Sequence, residues 1–274
     1  SVIKDTDAIL KEIKEKTVVT PWYLYRIGNW ELGDSLALNP RTKQTNALIE
    51  GLSNFPNILF ELRTKSDYVD EILALNHKQR TIVSWTMSPE IVIKKEEHGT
   101  ATLSQRLKAI QKVLKAGYLI SLHFDPMLYF EGWEKAYFEL IAQIFKVIPA
   151  TKIAWISIGS LRFNPEMKKT IEENFPHSKI TTPEMISGDD RKMRYVKPLR
   201  IKMYQLLYQQ IKKHAPKVWT YLCMERFDVW DKIFGTHPES IQKHDYLIAT
   251  SLHQRFPHLI TQKPSWAKYQ KIII

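Results

Sequence analysis

Apolar residues arrive along this chain in short bursts, separated by segments of helical spacing. The clearest pair of bursts frames residues 57–89. Ile58-Leu59-Phe60-Glu61-Leu62 is a continuous run that ends in the polar tip Arg63-Thr64-Lys65-Ser66. Tyr68, Val69, Ile72, Leu73 and Leu75 follow at the spacing of an amphipathic helix, and residues 81–87 form a second β-branched run closed by Ser88-Pro89. Two buried strands joined by a helix-length segment predict a parallel βαβ unit. Such a unit gathers its polar chemistry at the carboxyl ends of its strands, here Arg63-Thr64-Lys65 and Thr86-Met87-Ser88.

The same alternation extends to both sides. Asp5-Thr6-Asp7 caps a first helix that buries Ile9, Leu10 and Ile13. Residues 17–27 read as a strand, with Pro21 marking two short pieces or an edge position. The tip is the glycine-punctuated stretch 28–34, and Thr45, Leu48, Ile49 and Leu52 sit on a second helix. Beyond the charged stretch 94–100, Leu103, Leu107, Ile110, Val113 and Leu114 share one helical face that stops at Gly117. Residues 118–124 predict a strand tipped by Asp125-Pro126-Met127, then a helix over 133–147. Residues 152–158 predict another strand, tipped by Gly159-Ser160-Leu161-Arg162-Phe163, then a helix over 165–175. Five strands each followed by a helix mean a parallel sheet, doubly wound or curled into a barrel. No glycine fingerprint for a dinucleotide follows any of them, which favours the α/β partial barrel.

From about residue 178 the pattern loosens. Residues 179–198 are polar and basic, and read either as a solvated loop or as a clamp that touches phosphates through Arg191, Lys192, Arg194 and Lys197. A long helix follows with Ile201, Tyr204, Leu207, Tyr208 and Ile211 on one side, then a last strand over 218–223. The tail mixes short helices and loops and ends in Ile272-Ile273-Ile274. The expected division is 1–177 for the partial barrel, 178–235 for the basic loop, long helix and final strand, and 236–274 for a mainly helical tail.

Charge and composition sharpen the reading. Lys and Arg number 40 against 29 Asp and Glu, a formal charge of +11 that favours a polyanionic partner such as DNA. Hydrophobic residues make up 44 %, enough for a sizeable core. No apolar run approaches the roughly 20 residues of a membrane helix, so no membrane partner is expected. The single cysteine, Cys223, excludes an internal disulfide and points to a cytoplasmic setting. The chain opens on Ser rather than Met, which reads as a processed or truncated product.

Several tips carry candidate chemistry. Arg63 and Lys65 form a pair of cations suited to a carboxylate or phosphate, and read equally as a solvated tip. Ser84, Thr86 and Ser88 offer hydroxyls to a sugar or are satisfied within the strand. His123 and Asp125 lie together but lack a third ligand, so no metal site is expected. Arg162 and Phe163 suit a base by charge and stacking, or form a surface ion pair over a core ring. Trp30 and Trp85, near strand tips, are further stacking candidates. Cys223, in an apolar strand, reads as an inert buried thiol.

A series of motifs in order gives the chain a family resemblance. The run 61–70, then Ser84-Trp85-Thr86-Met87-Ser88-Pro89, then Glu97-His98-Gly99-Thr100 with Arg106-Leu107, resemble spore photoproduct lyases. So do the run 132–140, Leu161-Arg162-Phe163, and Tyr221-Leu222-Cys223-Met224-Glu225 with Val229-Trp230 and Phe234-Gly235. The similarity spans about residues 2–235. It implies a partial (β/α)6 TIM-like barrel, a [4Fe–4S] cluster, S-adenosylmethionine, and repair of a UV-induced thymine photoproduct in DNA by a 5′-deoxyadenosyl radical. By position it implies that Lys65 meets the methionyl carboxylate, that Ser84 and Thr86 line the cofactor site, that Gly28 and Asn29 add polar contacts, and that Arg162 lies near substrate. Two departures stand out. The family's three-cysteine motif and the strand before it are expected just ahead of Ser1 and are absent. The family's hydrogen-donating cysteine has no thiol counterpart near Arg26-Ile27-Gly28-Asn29, and Cys223 lies far from that place in sequence. The expected reading is thus a cluster-less fragment of a lyase-like radical-SAM protein, with two alternatives. One is a catalytically inactive family member that binds nucleic acid; the other is an unrelated α/β binding protein.

Overall fold

The apolar bursts become the strands of one curled parallel sheet. The computed structural model describes residues 5–29 and 33–272. In chain order the elements are α1 (Thr6–Thr17), β1 (Tyr25–Gly28), α2 (Asn39–Thr42), α3 (Gln44–Leu52), β2 (Ile58–Thr64), β3 (Thr81–Thr86), α4 (Glu90–Glu96), α5 (Leu103–Lys115), β4 (Leu119–Met127) and α6 (Trp133–Val147). There follow β5 (Ile153–Ser160), β6 (Arg162–Phe163), α7 (Met167–Asn174), β7 (Met185–Ser187), β8 (Met193–Tyr195), α8 (Lys197–His214), β9 (Trp219–Leu222), α9 (Phe227–Phe234), α10 (Ile241–Arg255) and α11 (Trp266–Tyr269). The parallel sheet runs β1-β2-β3-β4-β5-β9, and a small antiparallel sheet, β6-β8-β7, stands apart from it. This is the α/β half-barrel that the alternation predicts.

Three local expectations are corrected. Residues 17–27 are not one strand: α1 runs to Thr17, exposed turns carry Val18 and Val19, and pairing begins only at Tyr25. Pro21 and the preceding helix outweigh the β-branched pair. The segment after β2 is not a helix but a single 3₁₀ turn over Asp70–Ile72, although Val69 and Ile72 are buried as their spacing suggested. The basic stretch 179–198 is not a plain loop, since it supplies β7 and β8.

Register assigns every strand side chain to a face. Phe60, Leu62, Val83, Trp85, Leu122, Ile156 and Ile158 share the convex face, all at 1 % exposure or less, with α3, α5 and α8 packed on β2, β4 and β5. Each such side chain contributes roughly 1.5–3 kcal/mol through burial. The concave face is different. Arg26, Glu61, Arg63, Ser84, Ser121, His123, Ser157 and Tyr221 fall on it, so the barrel interior is polar.

The tail closes the floor. On α10, Asp245 accepts from the Tyr23 hydroxyl at 2.5 Å and lies 3.7 Å from Arg26 on β1. The Arg26 guanidinium in turn sits over the rings of Trp155 on β5 and Tyr221 on β9. The Tyr269 hydroxyl accepts from the Leu24 backbone N–H, and Arg255 donates to the carbonyls of Ala150, Ile153 and Ala154 at the foot of β5. His244 of α10 packs on the rings of Trp219 and Tyr221, so one helix bridges the two edge strands, β1 and β9, from below.

Candidate functional site

The mouth of the half-barrel is built on a buried carboxylate. Glu61 interrupts the apolar run of β2 and faces inward, where Oε1 accepts from Ser84 at 2.7 Å and Ser121 at 3.2 Å and lies 2.7 Å from His123 Nε2. Burial alone would raise its pKa, but His123, Arg63 and Arg26 draw it down to about 2. Burial pushes the His123 imidazole below its usual pKa, against the pull of Glu61. Ser84 is fully buried and committed to this network, one rung below Thr86.

Lys65 follows the last residue of β2 and is fixed on both sides. Its backbone N–H donates to Asp34 at 2.7 Å and its carbonyl accepts from Ala101. Its ammonium, one-third exposed, lies 3.2 Å from Glu97 Oε1. Glu97 also accepts from Ser88 at 2.6 Å and from Arg106, a fully buried guanidinium that donates to the Thr86 carbonyl as well. Burial opposes ionisation of Glu97, but Lys65 and Arg106 more than offset it, so its pKa lies below the usual range. Because Arg106 and Ser88 remain on Glu97, Lys65 is free to turn toward another anion without stranding a buried charge. Gly28 and Asn29 are exposed at the end of β1, the Asn29 amide 3.5 Å from Thr45 Oγ1.

On the far side of the mouth Arg162 is largely buried and pairs with Asp125 at 3.2 Å. It also reaches the carbonyl of Cys223 and lies 3.5 Å from its sulfur. A Cβ on Gly159 would come within 2.6 Å of Asp125 Oδ1 and 2.9 Å of Arg162 Nη1, so a larger residue there would push this ion pair aside. The structure thus brings Cys223, remote in sequence, to the mouth beside His123-Phe124-Asp125. Burial, then Asp125, pushes its thiol up to about 12 against the pull of Arg162, so the sulfur stays protonated. Phe163 and Trp85 are both buried, which removes each as a stacking platform for a base; Trp30 lies outside the described residues. A cleft of about 840 Å³ opens beside the mouth, with Ile91, Val92, Lys95, Leu128, Tyr129 and Lys179 among its lining.

The small sheet is an arm rooted at the rim, since β6 begins two residues after β5 ends. Its turn, 188–192, carries Arg191 in the left-handed region at φ 61°. Arg191 is exposed and Lys192 partly so; the nearby acids are taken by other arginines, Asp189 by Arg226 and Asp190 by Arg194. Arg194 is 6 % exposed and already engaged by Asp190 and Glu225. Sequence reasoning missed Asp34, Glu61, Glu97 and Glu225 as organisers. Only Glu61 carried a local signal, a carboxylate inside an apolar run.

A parallel half-barrel whose cations and hydroxyls crowd the carboxyl ends of its strands is a TIM-like scaffold for a ligand-binding or catalytic mouth. The family model described as "Spore photoproduct lyase" matches residues 26–227. The chain belongs to that family. It is 32% identical over 154 residues to spore photoproduct lyase of Bacillus subtilis, covering 56% of this chain and 43% of that protein. It is 29% identical over 123 residues to the lyase of a Geobacillus species, covering 44% of this chain and 36% of the relative. The chain therefore spans less than half the length of these curated relatives. Solved structures of a spore photoproduct lyase share the fold. One, complexed with dinucleoside spore photoproduct, gives a TM-score of 0.73 at 21% identity over 80% of this chain and 67% of that one. Another, a double mutant with bound AdoMet and the same ligand, matches equally well.

Proposed function

We propose that this chain is the barrel portion of a radical-SAM protein that acts on UV-damaged DNA. The carrying observation is Lys65, held at the tip of β2 by Asp34 and Ala101 while its ammonium shares Glu97 with Arg106. An ammonium so placed and releasable suits the carboxylate of S-adenosylmethionine. Gly28, Asn29 and Thr86 would line the rest of that ligand, with Ser84 acting from below through Glu61. When bound, S-adenosylmethionine would supply a 5′-deoxyadenosyl radical on receiving one electron, for which the family that the chain resembles uses its iron–sulfur cluster. The residues present do not fit the family's cluster: three thiolates are needed and the chain has one cysteine, Cys223.

Toward DNA, Arg63 and Arg162 give the mouth its cationic walls, and Arg191 and Lys192 reach out on the arm as phosphate contacts. Arg194 sits behind them. In this reading residues 1–177 form the partial barrel, 178–235 the arm, long helix and closing strand, and 236–274 the segment under the floor. Among the described residues no helix is long and apolar enough to cross a membrane. A DNA partner and a lone cysteine favour the cytoplasm. The lack of a thiol at Arg26-Ile27-Gly28-Asn29 favours one second reading, a family member that binds nucleic acid without chemistry.

Two titrations test this. Calorimetry with S-adenosylmethionine should show binding that Lys65→Ala weakens about tenfold, the loss of one charge-assisted contact. Duplex DNA affinity should fall steeply between about 50 and 200 mM salt as counterions are released. DNA binding without S-adenosylmethionine binding would select the second reading. Failure of both would sink the proposal.

A further inference from the structure

The arm is too small to hold itself in place. Its strands have two or three residues each, and only Phe163, Arg194 and Tyr195 are buried, while Ile186 is 43 % exposed. Sheets of this size need an external anchor. That anchor is the turn after β9. Glu225, 2 % exposed at its side chain, accepts from Arg200 Nε at 2.8 Å and Nη2 at 3.2 Å, and from the Tyr204 hydroxyl at 3.2 Å. The Arg194 guanidinium approaches the same carboxylate at 3.9 Å and donates to the Met224 carbonyl. Arg200 completes the link by donating to the carbonyl of Tyr195, the last residue of β8. At the tip, Asp190 holds Arg194, and Gly188 leaves it room: a Cβ there would come within 2.6 Å of the Arg194 guanidinium carbon.

We infer that Glu225 is a positioning residue: one buried carboxylate gathers Arg194 from the arm and Arg200 from α8, and so presents Arg191 and Lys192 to a phosphate backbone. The inference rests on the nucleic-acid reading above. Arg194 and Arg200 are then braces rather than phosphate ligands. A pre-ordered arm binds without first giving up its own conformational freedom.

The test uses Glu225→Gln and, because that variant removes a buried charge, also Asp190→Asn at the more exposed end of the brace. Trypsin cuts after Arg191 and Lys192 when the arm opens. Both variants should raise that cleavage rate about tenfold in protein that remains folded by circular dichroism, since cleavage tracks local opening. Both should weaken duplex DNA about fivefold while the slope of log affinity against log salt stays unchanged, because the phosphate contacts remain the same in number. Unaltered cleavage and affinity in both variants would overturn the inference. In Arg194→Gln the slope should also stay unchanged; a slope reduced by about one in that variant would overturn the inference, because Arg194 would then be a phosphate ligand itself. Wild-type protein that fails to bind DNA at low salt would instead remove the nucleic-acid reading, and the cleavage rates alone would decide whether Glu225 orders the arm.

Discussion

Glu61 and Cys223 show how far the fold bends the chemistry of single side chains. Glu61 ionises near 2 in the fold against 4.5 for an ordinary carboxyl. A depressed carboxylate stabilises the folded state above its unfolded pKa and loses that contribution as pH falls through its folded one. Stability should therefore drop between about pH 4.5 and 2, and Glu61→Gln should flatten that part of the profile by about 3 kcal/mol, read by urea unfolding across pH. His123 is also depressed, so acidification through its ordinary 6.5 adds to the loss rather than opposing it. Cys223 is held protonated, and iodoacetamide at about pH 8 should modify it about 100-fold more slowly in native than in unfolded protein. Asp125→Asn should speed that reaction by removing an acid that raises the thiol pKa. From its sequence neighbours Cys223 carried no functional signal, and Glu61 only that of a carboxylate inside an apolar run. Glu61 looks like a strand residue and Cys223 like core, and only strand register places one under the mouth and the other on its rim.

Elements were legible in proportion to how local their causes are. β2, β3, β4 and β5 are buried on both faces and carry mostly apolar runs broken by few polar residues, and such runs stand out without long-range information. β1 did not stand out, because Tyr25–Gly28 is short and the β-branched Val18 and Val19 lie in exposed turns. The arm was hidden for another reason. Its pairing relies on Arg194, Arg200 and Glu225, residues up to 31 positions apart whose encounter no periodicity announces. The division of its cations does follow from the structure. Arg191→Gln and Lys192→Gln should each lower the magnitude of the salt slope for duplex DNA by about one while leaving thermal stability unchanged. Arg194→Gln should lower stability instead, because it opens a buried ion pair.

At the scale of the molecule the tail beyond Gly235 is part of the barrel rather than an appendage. Ile248, Ala249, Leu252, Phe256, Leu259 and Tyr269 are buried in the common core, and Asp245 reaches Tyr23 and Arg26 under the sheet. Asp245→Asn should destabilise the fold by about 1 kcal/mol in urea, since it weakens a half-buried ion pair with Arg26 and the hydrogen bond from Tyr23. The family model ends at residue 227, so this contribution could be seen only in three dimensions. The floor also orders events in time. Tyr23 and Asp245 are 222 positions apart, and Leu24 and Tyr269 are 245 apart. Contacts that close so large a loop form late, after the loop-closure entropy has been met by nearer pairings. On the ribosome, β1 to β5 can pair before α10 is translated, and Tyr23 and Arg26 then lack Asp245 as a partner. Until that helix docks, β1 is held over the edge of β2 by strand pairing alone, so the tail steadies the strand that keeps this edge from other chains.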